Sequence, residues 1–181
     1  MSGPNRQARN PAPPKPPQSS KPLDYLWSPW RYPYLTAAAK PGCIFCAMSA
    51  DSHDEEWLIV FRGAHNFIVL NRFPYTSGHL MVVPYLHTPD LAGLDDAAAS
   101  ELMALTRVAE RHIRTIYRPD GLNLGMNIGE SAGAGIAGHI HMHVLPRWTG
   151  DANFMTTVGR TRVLPEDLNV TWRRLKEAFA G

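Results

Sequence analysis

This chain is short of sulfur, of charge of either sign in excess, and of long apolar runs. Its 181 residues hold two cysteines, Cys43 and Cys46. A single cysteine pair, with no secretory leader pattern at the start, argues against a disulfide-stapled scaffold. Eighteen Lys and Arg stand against 16 Asp and Glu, a formal charge of +2. That balance offers no electrostatic case for nucleic acid or a membrane as partner. No apolar stretch approaches the ~20 residues of a membrane span, so a cytoplasmic protein is expected. Apolar residues are also scarce over 1–22, which carry seven of the 16 prolines. Such a segment buries too little surface to offset its ordering and reads as a disordered Pro-rich tail. From Leu23 the composition changes abruptly, with Trp27, Trp30, Tyr32 and Tyr34 in close succession. An aromatic segment of this kind suits packing across the domain or across a dimer interface. Residues 23–181 suffice for one domain with a real core.

Within that domain the spacing of apolar residues predicts strands over 57–61, 66–70 and 80–83, with Gly63 as the turn between the first two. Leu122, Leu124, Met126 and Ile128 alternate as a further strand after Asp120-Gly121. A helix is expected from 95 or 96 to about 117. Leu102, Leu105, Val108 or Ala109, His112 or Ile113, and Ile116 mark its buried face, and Arg118-Pro119 ends it. A terminal helix over 166–180 has Pro165 at its start. Strands, helix, strands and helix in this order give an antiparallel α+β domain with a long central helix, a C-terminal helix and no internal repeat.

Chemistry concentrates at His139, His141 and His143, which alternate with Ile140, Met142 and Val144. On a strand the three imidazoles share one face while the apolar residues enter the core. Packing has no use for three titratable rings in a row. Two readings compete: a metal site built from neutral imidazoles, and a histidine nucleophile flanked by histidines that serve an anionic substrate. Upstream runs a glycine-dense loop, Gly125, Gly129, Gly133, Gly135 and Gly138, with Asn127 and Ser131 among them. Glycines permit positive φ and close ligand approach, and successive backbone N–H groups in such a loop form an anion nest. By itself this loop also reads as a flexible connection. His53, His65 and His112 lack any motif context.

The run Gly138-His139-Ile140-His141-Met142-His143-Val144-Leu145-Pro146-Arg147 resembles the signature of the histidine-triad superfamily of nucleotide hydrolases and transferases. Leu70-Asn71-Arg72-Phe73-Pro74-Tyr75-Thr76-Ser77-Gly78-His79 continues into Leu80-Met81-Val82-Val83-Pro84 and resembles the family's earlier strand–turn–strand. The resemblance implies that His141 is the nucleophile toward the α-phosphorus of a nucleotide and that His143 contacts phosphoryl oxygens or the leaving group. It further implies that Asn71 binds ribose, that His79 supports the triad, and that Asn127 serves the phosphate. Homodimers are common among such relatives.

Cys43-Ile44-Phe45-Cys46 is a C-x-x-C pair, and a tetrahedral zinc needs two more ligands. Zinc-containing relatives supply a histidine soon after the second motif and the first histidine of the triad, here His87 and His139. Resemblance thus implies a structural zinc on Cys43, Cys46, His87 and His139. The alternative is two reduced core cysteines beside a surface His87. Toward the reaction, Pro146 to Phe154 is similar to the branch of short bacterial diadenosine tetraphosphate phosphorylases. The Gln-Ser or Gln-Thr usual in hydrolase branches is replaced by Gly135-Ile136. The expectation is adenylyl transfer from diadenosine tetraphosphate to inorganic phosphate, with Arg147 and the loop around Ser131 holding that phosphate. Hydrolysis by water, as in a diadenosine polyphosphate hydrolase or a nucleoside phosphoramidase, is the runner-up, and a nucleotide sensor without turnover is the non-enzymatic alternative.

Overall fold

A computed structural model describes residues 42–159 and 164–181. The Pro-rich segment 1–22 and the aromatic residues that follow it lie outside the described residues. Two short helices come first, α1 (Ile44–Ala50) and α2 (Asp54–Trp57). Strands β1 (Ile59–Arg62), β2 (Asn66–Leu70) and β3 (Leu80–Pro84) precede the 22-residue helix α3 (Asp96–Tyr117). Strands β4 (Gly121–Gly125) and β5 (Met142–Arg147), the short helix α4 (Phe154–Thr157) and the terminal helix α5 (Leu168–Ala180) complete the order. Every strand pair is antiparallel, in the order β1-β2-β3-β5-β4. The antiparallel α+β architecture expected from the alternation is therefore what the chain builds.

The two faces of the sheet explain why β2 and β3 read as unbroken apolar runs. Val60, Ile68, Leu70, Leu80, Val82 and Val144 pack on one face against Leu102, Leu105, Ala109 and Ile113 of α3 and Leu175 of α5. Ile59, Phe67, Val69, Met81 and Val83 occupy the other face, against Phe45 and Met48 of α1. On β5, His143 pairs with Met81, so it lies on the α1 side while its neighbour Val144 enters the α3 side. Alternation on one strand thus points a reactive ring away from the helical layer.

Local sequence sets the boundaries. Asp95 caps α3 by accepting from the Ala98 N–H at 2.7 Å, and Arg118 closes it in the left-handed region, φ 45°. Gly63 turns β1 into β2 where a Cβ would lie 2.9 Å from both the Asn66 carbonyl and Glu101 Oε1. Three expectations shift. Trp57 belongs to α2, because Leu58 reverses the chain at φ 63° before β1 begins. The alternation after Gly121 supports a strand only to Gly125, where its ladder with β5 ends at the Gly125–His143 pair, one residue from the start of β5 at Met142. Helix α5 starts at Leu168, capped by Asp167. Glu166, expected in its first turn, instead accepts from Tyr117 Oη at 2.6 Å and Thr171 Oγ1 at 2.7 Å and pairs with Arg174.

Candidate active site

The carbonyls of Pro84, Thr88 and His139 fix the backbone and rings of the histidine run. β5 begins only at Met142; His139, at a bend, and His141 precede the strand. Ile140 N–H donates to the Thr88 carbonyl at 2.8 Å, and His139 Nε2 bonds the Pro84 carbonyl at 2.9 Å. A carbonyl can only accept, so Nε2 of His139 carries the proton and its Nδ1 is a bare donor atom for a metal. His141 Nδ1 bonds the His139 carbonyl at 2.9 Å, which by the same logic leaves Nε2 of His141 bare and nucleophilic. All three rings are buried, His139 fully.

A second chain of bonds reaches His143. Its Nδ1 lies 2.9 Å from His79 Nε2. The Tyr75 N–H donates to His79 Nδ1 at 3.2 Å, and Asn71 Nδ2 approaches the same atom at 3.3 Å. Tyr75 also sets its ring 4.9 Å from His79 and 6.2 Å from His143. Burial pushes His143 down to about 4, with the adjacent His141 ring adding to the effect. Burial also lowers His141, opposed by its bond to the His139 carbonyl. Both rings are therefore neutral at pH 7, so each has one bare nitrogen and one N–H to offer.

The four residues expected to bind metal converge. Their donor atoms lie within 4.8 Å of one another. Cys43 Sγ and Cys46 Sγ are 3.3 and 3.7 Å from His139 Nδ1, and Cys46 Sγ is 3.3 Å from His87 Nδ1. Zinc–sulfur and zinc–nitrogen bonds of ordinary length at a tetrahedral angle put sulfur and nitrogen about 3.6 Å apart, so the donor set fits zinc. Helix α1 carries the thiols to this place, and Arg62 of β1 holds its end: the guanidinium donates to the Ser49 and Met48 carbonyls at 3.1 and 3.2 Å and pairs with Asp54 at 2.8 Å.

Not every expected residue gathers here. Asn127 reaches across the glycine loop to the Gly133 carbonyl at 3.4 Å. Gly129 and Gly133 take left-handed φ of 84° and 92°, and the amides of Ala132, Gly133 and Ala134 bond carbonyls within the loop, so those three already have acceptors. Ser131 is exposed in the turn between them. Gly135 precedes Ile136, which packs against the cluster around Phe45. Arg147 ends β5, four residues beyond His143, where Asp151 holds it at 2.6 and 2.7 Å and Asn123 at 2.6 Å. His53 pairs with Asp51, and His112 packs on Phe179, both outside the cluster. Two residues had no role assigned from sequence. Phe45, 1% exposed, lies 5.3 Å from the His139 ring and 5.0 Å from His141. Its position between the two cysteines was the available signal, as was that of Tyr75 four residues before His79.

A strand–turn–strand carrying Asn71 and His79 beside a strand that brings His139, His141 and His143 together defines a histidine-triad site. The profile of the HIT domain matches residues 54–150, and the chain belongs to the histidine-triad (HIT) family of nucleotide hydrolases and transferases. It is 45% identical over 167 residues to the AP-4-A phosphorylase of Mycobacterium tuberculosis, covering 87% of this chain and 85% of that protein. It is 33% identical over 130 residues to Protein hit of Bacillus subtilis, covering 70% and 87%. Among solved structures it resembles a Zn-bound histidine triad family protein from Mycobacterium smegmatis, with TM-score 0.62 and 30% identity over 77% of this chain and 94% of that one. No helix among the described residues is long and apolar enough to cross a membrane.

Proposed function

We propose that the protein transfers an adenylyl group from diadenosine tetraphosphate to inorganic phosphate through a covalent adenylate on His141. The observation that carries this reading is the buried, neutral His141 whose Nδ1 is tied to the His139 carbonyl. That bond leaves Nε2 as the attacking atom. Nε2 forms the N–P bond as the P–O bond to the ATP leaving group breaks, and the leaving oxygen keeps the electron pair. His143, with its proton on Nε2, donates a hydrogen bond to that oxygen. A phosphate oxygen then attacks the same phosphorus, the N–P bond breaks, and ADP leaves with His141 neutral again. The likeness to a relative named AP-4-A phosphorylase supports the substrate. Ile136, packed into the apolar cluster, brings no hydroxyl or amide to the leaving group, which favours phosphate over water as acceptor.

Asn71 is the residue proposed to meet the ribose, and Asn127 with the loop backbone at Ser131 and Gly135 to meet the phosphates, while Gly133, its amide bonded to the Glu130 carbonyl, shapes the turn. Arg147 joins them only by exchanging Asp151 for phosphate. Cys43, Cys46, His87 and His139 would hold zinc in a closed site without an open position, so the metal supplies rigidity between α1 and the triad. A homodimer suits the edge strand β4, where Leu124 and neighbouring Ile128 are exposed. Supplying diadenosine tetraphosphate with and without phosphate, and resolving ADP from AMP, tests the acceptor. Phosphate-dependent ADP is expected; AMP formed without phosphate would make the protein a hydrolase. His141→Ala is expected to abolish turnover and retain nucleotide binding, whereas a sensor has no turnover to lose.

A further inference from the structure

We infer that Asn71 is a positioning residue that fixes the tautomer of His79, and through it the donor that His143 presents to substrate. The inference rests on the nucleotidyl-transfer reading for its consequence, while the tautomer itself follows from hydrogen bonds. The Phe73 N–H donates to Asn71 Oδ1 at 2.9 Å. A backbone N–H can only donate, so this bond orients the amide and turns its NH2 toward His79 Nδ1, 3.3 Å away. The Tyr75 N–H reaches the same nitrogen at 3.2 Å. Two donors converge on Nδ1, which is therefore bare, and the proton of His79 sits on Nε2. That proton faces His143 Nδ1 at 2.9 Å, so His143 accepts there and carries its own proton on Nε2.

The chain thus runs from two backbone amides, through one side-chain amide and two imidazoles, to one N–H at the triad. Nothing along it moves a proton during the reaction; it only decides which ring nitrogen is the donor. An aspartate at 71 would still accept from the Phe73 N–H. Its second oxygen would face His79 Nδ1 as an acceptor, compete with the Tyr75 N–H for that nitrogen and draw a proton onto it. Ribose binding alone puts no such demand on the residue, since either an amide or a carboxylate accepts from ribose hydroxyls.

Nitrogen-15 NMR of the imidazoles at pH 8 reads the tautomers without any need for activity. Bare Nδ1 and protonated Nε2 are expected for both His79 and His143. Asn71→Asp is expected to bring a proton onto His79 Nδ1. A protonated Nδ1 in the unaltered protein, or a bare Nδ1 in Asn71→Asp, would overturn the inference. Kinetics supply the second arm. Asn71→Ala is expected to lower kcat roughly 10- to 100-fold, the scale seen when a partner orienting an imidazole is lost. The loss should persist on a 2′,3′-dideoxy substrate and shrink when the leaving group is a good one. A loss confined to ribose-bearing substrates and to KM would leave Asn71 as a ribose contact alone. If no substrate turns over at all, the proposed function fails while the NMR result still decides the tautomer.

Discussion

His143 ties the proposed catalytic site to stability, and lowering the pH separates the two states of its ring. Burial beside His141 takes it from an ordinary 6.5 to about 4. The folded protein therefore binds this proton less readily than the unfolded chain, and the buried neutral ring contributes stability that is complete above pH 6.5. Between pH 6.5 and 4 the unfolded chain takes up the proton first, and the contribution is lost as pH falls. At about 1.4 kcal/mol per pH unit, the span from the ordinary value to the buried one corresponds to about 3.5 kcal/mol, of which about 3 kcal/mol is lost by pH 4. Urea unfolding at pH 7.5 and pH 4 measures it, with His143→Asn as the control. Asparagine keeps an acceptor for the His79 Nε2–H and cannot titrate. The carboxylates titrate in both proteins, so their contribution cancels in the comparison. The unaltered protein is expected to lose about 3 kcal/mol more than His143→Asn over this range. Losses that agree to within about 0.5 kcal/mol would refute the reasoning.

Other consequences are equally concrete. Elemental analysis of protein purified without added metal is expected to give one zinc per chain, and a strong chelator to lower the thermal midpoint; absence of zinc with an unchanged midpoint would remove the metal from the account. Phe45→Ala empties a fully buried ring site that touches His139 and His141; it is expected to cost about 3–5 kcal/mol in urea unfolding and to lower kcat. Glu101 accepts from the Ala64 and His65 amides at 2.7 Å and from Asn66 Nδ2 at 2.9 Å. Glu101→Gln therefore is expected to destabilise by about 2 kcal/mol with kcat unchanged, since these bonds tie the first hairpin to α3 away from the histidines.

Much of this was legible because burial writes itself into periodicity. Asn66 to Leu70 and Leu80 to Pro84 are buried at every position, and the helical spacing of Leu102, Leu105, Ala109 and Ile113 marked the face that packs on them. The metal ligands came from resemblance, and their donor atoms do converge. Less visible were features decided by tertiary contact. Whether Val108 or Ala109 faces inward depends on the helix's rotation against the sheet. The start of α5 turns on Asp167 as a cap and on the demand of Tyr117 and Arg174 for Glu166. Phe45 and Tyr75 had no role assigned, because only the fold brings them against the histidines. Arg147 looked like an anion ligand by its place after the triad, yet β5 carries it four residues onward to Asp151.

The covalent intermediate on His141 is the most direct test of the whole account. Enzyme mixed with diadenosine tetraphosphate labelled at the α-phosphorus, in the absence of phosphate, is quenched in alkaline denaturant, and the peptides are mapped. Label on His141, stable to base, released by acid and absent when phosphate is supplied in excess with formation of labelled ADP, is the expected result. An unlabelled chain under conditions where substrate is consumed would contradict it.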